Sequence, residues 1–339
     1  MRKPDYTQLL KVLNKQAPDR PTLFEFFLND NLYELLSHGE ALVRGDAFDF
    51  FRKIICGFKN AGYDYVTTMA SDFGFPSGKH ARKSTKSLNE GATITDWESY
   101  ERYVWPSPSS FSMTKMETCA ADLPEGMKYV VFGPGGVLEN VIQLTGYDNM
   151  CAMIYDEPDL IKQIFDDVGS RLLEYYEPAV EMDSVCALIS NDDWGFKTQT
   201  MLSPNHMRQY VFPWHKKIAA LGHRHGKPVI LHSCGMLEEV MGDIIGDISF
   251  DGKHSFEDVI MPIEDAYEKY KGQIALLGGL DVNFVCSATP EEISARAQDM
   301  LERAHITGGY ALGTGNSVPS YVPVENYLAM IDVVRKNVK

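Results

Sequence analysis

Short apolar runs alternate with longer amphipathic stretches along the whole chain. Eight runs have strand character: 21–27 (PTLFEFF), 63–68 (YDYVTT), 128–132 (KYVVF), 185–189 (VCALI), 227–231 (KPVIL), 248–250, 274–279 (IALLGG) and 309–312. Helical patterns lie between them. In 46–60, Phe50, Ile54, Ile55 and Phe58 recur at helical spacing. Ser203-Pro204 and Thr289-Pro290 each read as an N-cap followed by a proline preset for the first turn. Residues 5–16 predict an additional N-terminal helix. Strand–helix alternation implies parallel pairing, and eight repeats favour a closed (β/α)8 TIM barrel over a doubly wound open sheet. Residues 75–125 form a long loop after the second strand, the kind of segment that often serves as a lid.

Composition narrows the class. At 339 residues, with 44% hydrophobic and 23% charged residues, the chain suits one barrel domain spanning 1–339. No run of 18 apolar residues predicts a membrane span, and the first residues lack the apolar core of a signal peptide, so the expected compartment is cytoplasmic. Six scattered cysteines then read as free thiols or ligands. A net charge of −15 argues against nucleic-acid binding. A homodimer is left open.

In a barrel of this kind, functional groups gather where strands end. His232-Ser233-Cys234 follows the fifth run. Residues two apart at a strand end share a side, so an imidazole and a thiolate there make half of a tetrahedral zinc site, unless they merely hydrogen-bond and pack. His254 or Glu257 is a candidate third ligand. Asp192 and Asp193 beside Trp194 suit a general base or substrate orientation against a stacking indole; equally they suit a loop whose acids cap backbone amides. Asp72 has the same two readings. Gly135, within Gly133-Pro134-Gly135-Gly136, either admits a ligand close to backbone or turns a strand into a helix. Glu25, Asp281 and Asn316 complete the set of substrate-facing candidates. The histidines between 206 and 225 fall on an amphipathic helix and read as solvated or capping.

An ordered set of motifs resembles the uroporphyrinogen-decarboxylase superfamily: Asp19-Arg20-Pro21, Ser71-Asp72, Asp192-Asp193-Trp194, Gly279-Leu280-Asp281, Gly313-Thr314-Gly315-Asn316-Ser317-Val318-Pro319 and Val322-Pro323-Val324-Glu325-Asn326. The resemblance covers nearly the whole chain and implies a (β/α)8 barrel. Its decarboxylase branch works without metal, holding a polycarboxylate porphyrinogen with arginines after the first strand and using an aspartate that Asp72 matches. Here 25–30 reads EFFLND, with no arginine and two acids besides Asn29. Its cobalamin-dependent methyltransferase branch carries H-x-C after the fifth strand, matched by His232 and Cys234, and a later cysteine, where this chain has Asn316.

The resemblance therefore implies a zinc-assisted methyltransferase working with a corrinoid carried by a partner protein. Asp72, Asp192 and Asp193 are its expected catalytic acids. Glu25, Trp194, Gly135, Asn316 and Asp281 are expected against substrate, and His232, Cys234, His254 and Glu257 on zinc. The alternatives are a metal-free decarboxylase of uroporphyrinogen or a related carboxylate, and a non-catalytic barrel that binds a tetrapyrrole or corrinoid.

Overall fold

The computed structural model describes residues 2–38, 43–78 and 88–336. Among the described residues, seven strands pair in parallel in strict chain order: β1 (Tyr65–Met69), β2 (Lys128–Phe132), β3 (Val185–Asn191), β4 (Val229–His232), β5 (Gly252–His254), β6 (Ala275–Leu277) and β7 (Tyr310–Ala311). Buried on both faces, they read as continuous apolar runs such as Val185–Ile189 rather than as alternating ones. Helices connect them. Asp5 caps Tyr6–Leu13, and Thr289 and Glu292 close a capping box on Pro290–Ala304. No helix among the described residues is long and apolar enough to cross a membrane.

The sheet curls back on itself through residues 22–27. Leu23 bridges Leu312 in parallel, with Phe24 N–H donating to the Leu312 carbonyl and Leu312 N–H to that of Thr22, both at 2.8 Å. The other flank of this segment meets β1 through side chains. Tyr65 Oη donates to the Glu25 carbonyl at 2.7 Å and Thr67 Oγ1 to that of Phe26 at 2.6 Å. The run 21–27 thus sits between β7 and β1, but hydroxyls replace one of its two backbone ladders. This α/β architecture is consistent with a TIM-barrel-like fold.

One predicted strand is displaced. The run 248–250 follows a wide helical turn, Asp243–Asp247, and the sheet strand is Gly252–His254. Apolar content pointed to Ile248 and Phe250, while the paired residues include Lys253 and His254, both buried. Between β1 and β2, the described part of the long loop contains the short helices Trp97–Arg102 and Thr114–Cys119. It packs on the helix Pro158–Glu181, where the Arg171 guanidinium stacks over Trp105 at 4.8 Å and Tyr100 Oη donates to Asp167 at 2.6 Å. Residues 79–87, inside the predicted lid, lie outside the described residues.

Candidate active site

The register of the sheet sets a polar rung at the carboxyl ends of three neighbouring strands. Asn191 on β3 pairs with His232 on β4, which pairs with His254 on β5. Beyond it the two following loops remain paired. Asp192 N–H donates to the His232 carbonyl at 2.9 Å and Gly195 N–H to the Cys234 carbonyl at 3.2 Å. They approach closely because both carry glycine: a Cβ on Gly235 (φ +89°) would lie 2.2 Å from the Gly195 carbonyl carbon. This contact brings Asp193 to Cys234, whose N–H donates to Asp193 Oδ1 at 2.9 Å.

Asp193, His232 and Cys234 each offer one ligand atom, all within 4.8 Å of one another. A carboxylate, an imidazole and a thiol form a mixed O, N, S donor set that suits zinc and leaves a fourth position open, as in catalytic zinc sites. Asn316 Nδ2 donates to Cys234 Sγ at 3.3 Å and Ser255 Oγ at 3.5 Å. Burial, reinforced by Asp193, pushes the Cys234 thiol up to about 12, so without a cation it holds its proton. A bound divalent cation would reverse that preference.

The other expected ligands lie elsewhere. Both ring nitrogens of His254 are engaged, Nδ1 with His232 Nδ1 at 2.8 Å and Nε2 with the Thr314 carbonyl at 3.2 Å, so His254 backs His232 instead of joining the triad. Burial pushes His254 down to about 3 and holds His232 well below its usual range, so both rings are neutral. Glu257 is also outside the triad. It lines a cavity of about 710 Å³ with Asp281, Asn316, Phe27, Phe256 and Tyr321.

Most of the expected substrate and catalytic residues make structural contacts. Asp192 is fully buried. Its carboxylate accepts from Leu138 and Glu139 N–H, both at 2.9 Å, and meets His215 Nε2 at 2.9 Å, so it caps the helix Val137–Thr145. His215 is buried there, not solvated, with Nδ1 on Ser190 Oγ at 2.8 Å. Trp194 packs into the core between Phe212 and His215. Gly135 (φ +82°) turns β2 into the helix Val137–Thr145. Glu25 is fully buried, both oxygens meeting Thr314, at N (2.7 Å) and Oγ1 (2.8 Å). Asp72 is exposed, and its charge acts on Lys115 and Tyr175. Asp281 and Asn316 do line the cavity, although Asp281 also caps Val282–Ser287.

One further residue, outside the expected site set, stands at this strand end. Lys253 is buried on β5, its ammonium donating to the Ser255 carbonyl at 2.6 Å over the Phe256 ring. Burial lowers it to about 8, while Cys234, Asp193 and Glu257 pull it back up. A polar residue inside a three-residue strand gives no local signal.

Residues 92–337 match the family described as uroporphyrinogen decarboxylase (URO-D). Among curated proteins, the chain is 26% identical over 193 residues to uroporphyrinogen decarboxylase of Anaeromyxobacter dehalogenans, covering 56% of this chain and 51% of that one. It is 28% identical over 182 residues to the Xylella fastidiosa protein of the same name, covering 52% and 46%. The matched span is thus about half the length of these relatives. Among solved structures, a methyltransferase from Methanosarcina mazei superposes over 99% of both chains with a TM-score of 0.70 at 17% identity, which establishes likeness of fold.

Proposed function

Because the chain belongs to the uroporphyrinogen decarboxylase family, we propose that it is a methyltransferase of that superfamily, moving a methyl group between a small methylated compound and a corrinoid held by a partner protein. The observation that carries this reading is the gathering of Asp193, His232 and Cys234 at one strand end. His232 and Cys234 are the H-x-C that resembles the methyltransferase branch. Asn316, standing where that branch has its second cysteine, is in contact with the Cys234 sulfur, and Asp193 offers a third donor in place of that cysteine.

Zinc fits these three side chains, and when bound it supplies Lewis acidity toward the oxygen or sulfur that carries or receives the methyl group. Asp193 fixes the Cys234 backbone while offering its carboxylate. Asn316 and Ser255 direct hydrogen bonds at the sulfur. Asn316 also borders the cavity, whose volume suits a small substrate; the partner's corrinoid would supply or take the methyl group there. The whole chain acts in this reading as one closed (β/α)8 barrel, completed by residues 22–27, in the cytoplasm.

The test is elemental analysis of the purified protein together with methyl transfer to free cob(I)alamin from methyl ethers, methylamines and methyl thiols. About one zinc per chain and turnover abolished in Cys234→Ala are expected. Full activity of metal-free protein would overturn the mechanism. The names of its relatives favour a second reading, decarboxylation of uroporphyrinogen. Against it, 25–30 has no arginine for an octacarboxylate, and Glu25 is occupied by Thr314. Coproporphyrinogen formed from uroporphyrinogen would establish that reading instead.

A further inference from the structure

We propose that His254 is a positioning residue: it accepts the Nδ1 proton of His232 and so leaves Nε2 as the only free lone pair His232 can offer beside Cys234 and Asp193. Its purpose rests on the metal reading above, and its logic on a chain of hydrogen bonds.

The far end of that chain fixes the rest. The Thr314 carbonyl only accepts, so the His254 nitrogen facing it at 3.2 Å, Nε2, must carry hydrogen. His254 is fully buried, and among the described residues no carboxylate lies within hydrogen-bond reach of its ring. An imidazolium there would be an unpaired buried charge, so the ring is neutral and its Nδ1 bears a lone pair. That lone pair faces His232 Nδ1 at 2.8 Å, and two lone pairs cannot face each other at that distance. His232 Nδ1 therefore donates, and its Nε2 is unprotonated.

The Thr314 carbonyl is itself fixed. Glu25 grips the same residue from behind through Thr314 N and Oγ1, so three residues on different strands and loops, Glu25, Thr314 and His254, determine the tautomer of His232. Metal-bound histidines are commonly held in this way by an acceptor on their other nitrogen, and loss of such a partner costs about 10–100-fold in metal affinity. Here a second histidine is the acceptor. A carboxylate in its place would add negative charge beside Asp193.

Long-range proton–nitrogen correlation spectra of the metal-free, full-length protein labelled with ¹⁵N-histidine test the assignment directly, with signals identified by single His232→Asn and His254→Gln variants. His232 is expected as the Nδ1–H tautomer and His254 as Nε2–H. An Nε2–H tautomer at His232 overturns the proposal without reference to any metal. Cobalt(II) titration, followed by thiolate-to-cobalt absorption, then reads the consequence. His254→Phe is expected to weaken binding about 10–100-fold, and His254→Gln, whose amide oxygen can accept from His232, to recover much of it. Equal affinity in all three overturns the positioning role. Expected tautomers with no cobalt uptake by the wild-type protein would support the tautomer assignment while overturning the metal reading.

Discussion

The Asp192 carboxylate lies 2.9 Å from His215 Nε2 in the core, and the same carboxylate receives two amide protons from the start of the helix Val137–Thr145. It joins the ends of β2 and β3 to a helix more than fifty positions earlier in the chain. Asp192→Asn would turn an amide NH₂ toward one helix N–H and weaken the His215 contact. A loss of about 2–4 kcal/mol in unfolding free energy is expected, read by urea denaturation. Zinc content should remain that of wild type, which separates the structural Asp192 from its neighbour.

Asp193 is where chemistry is expected. In Asp193→Asn the side-chain oxygen can still accept from Cys234 N–H, so the loop should hold its shape while the anionic donor is lost. Zinc or cobalt affinity is expected to fall at least about tenfold with the melting temperature nearly unchanged. Isothermal titration with zinc and a thermal melt of the same sample check both halves. A large drop in thermal stability with full metal affinity would show that Asp193, like Asp192, only braces the loop.

The contrast between these neighbours shows what the sequence could convey. Most strand positions, the caps at Ser203 and Thr289, and the placing of His232 and Cys234 at a strand end follow from local pattern, because period, capping chemistry and side-chain alternation are local properties. Which of two adjacent aspartates meets Cys234 is not local. It depends on the close approach of Gly195 to Gly235 and on the helix start that claims Asp192, contacts between segments forty to sixty residues apart. The strand Gly252–His254 was hidden for a related reason. Its Lys253 and His254 are buried because the Ser255 carbonyl, His232 and Thr314 satisfy them, so hydrophobicity misplaced it.

Glu25 makes stability depend on pH with an identifiable sign. Burial raises its carboxyl to about 8. Thr314 N–H and Oγ1 both donate to the Glu25 carboxyl and pull the other way, but the cost of full burial is larger. The folded protein therefore keeps a proton that the unfolded chain, at the ordinary glutamate value of 4.5, releases. This contribution to stability is complete below 4.5 and is lost as pH rises toward 8, with a slope of at most about 1.4 kcal/mol per pH unit. Glu25→Gln removes the titration. Unfolding free energies at pH 5, 6.5 and 8 should decline more steeply for wild type than for the variant, and parallel slopes would show Glu25 ionised throughout.

Asn316 offers a gain-of-function test of the metal reading. Its side chain reaches the Cys234 sulfur at 3.3 Å and borders the cavity, so a thiol introduced there would stand next to the three donors already assembled. A second thiolate is a softer and stronger zinc donor than the neutral amide it replaces, and would turn an Asp, His, Cys set into one with four protein ligands. Under reducing conditions Asn316→Cys is expected to bind zinc at least about tenfold more tightly than wild type, and its cobalt(II) form to show stronger sulfur-to-metal absorption. Turnover should move the other way, since the fourth position left for substrate in wild type would be filled by the new thiolate. Zinc affinity unchanged in Asn316→Cys, in protein whose introduced thiol reacts freely with a thiol reagent, would mean that the sulfur of Cys234 does not mark a metal position.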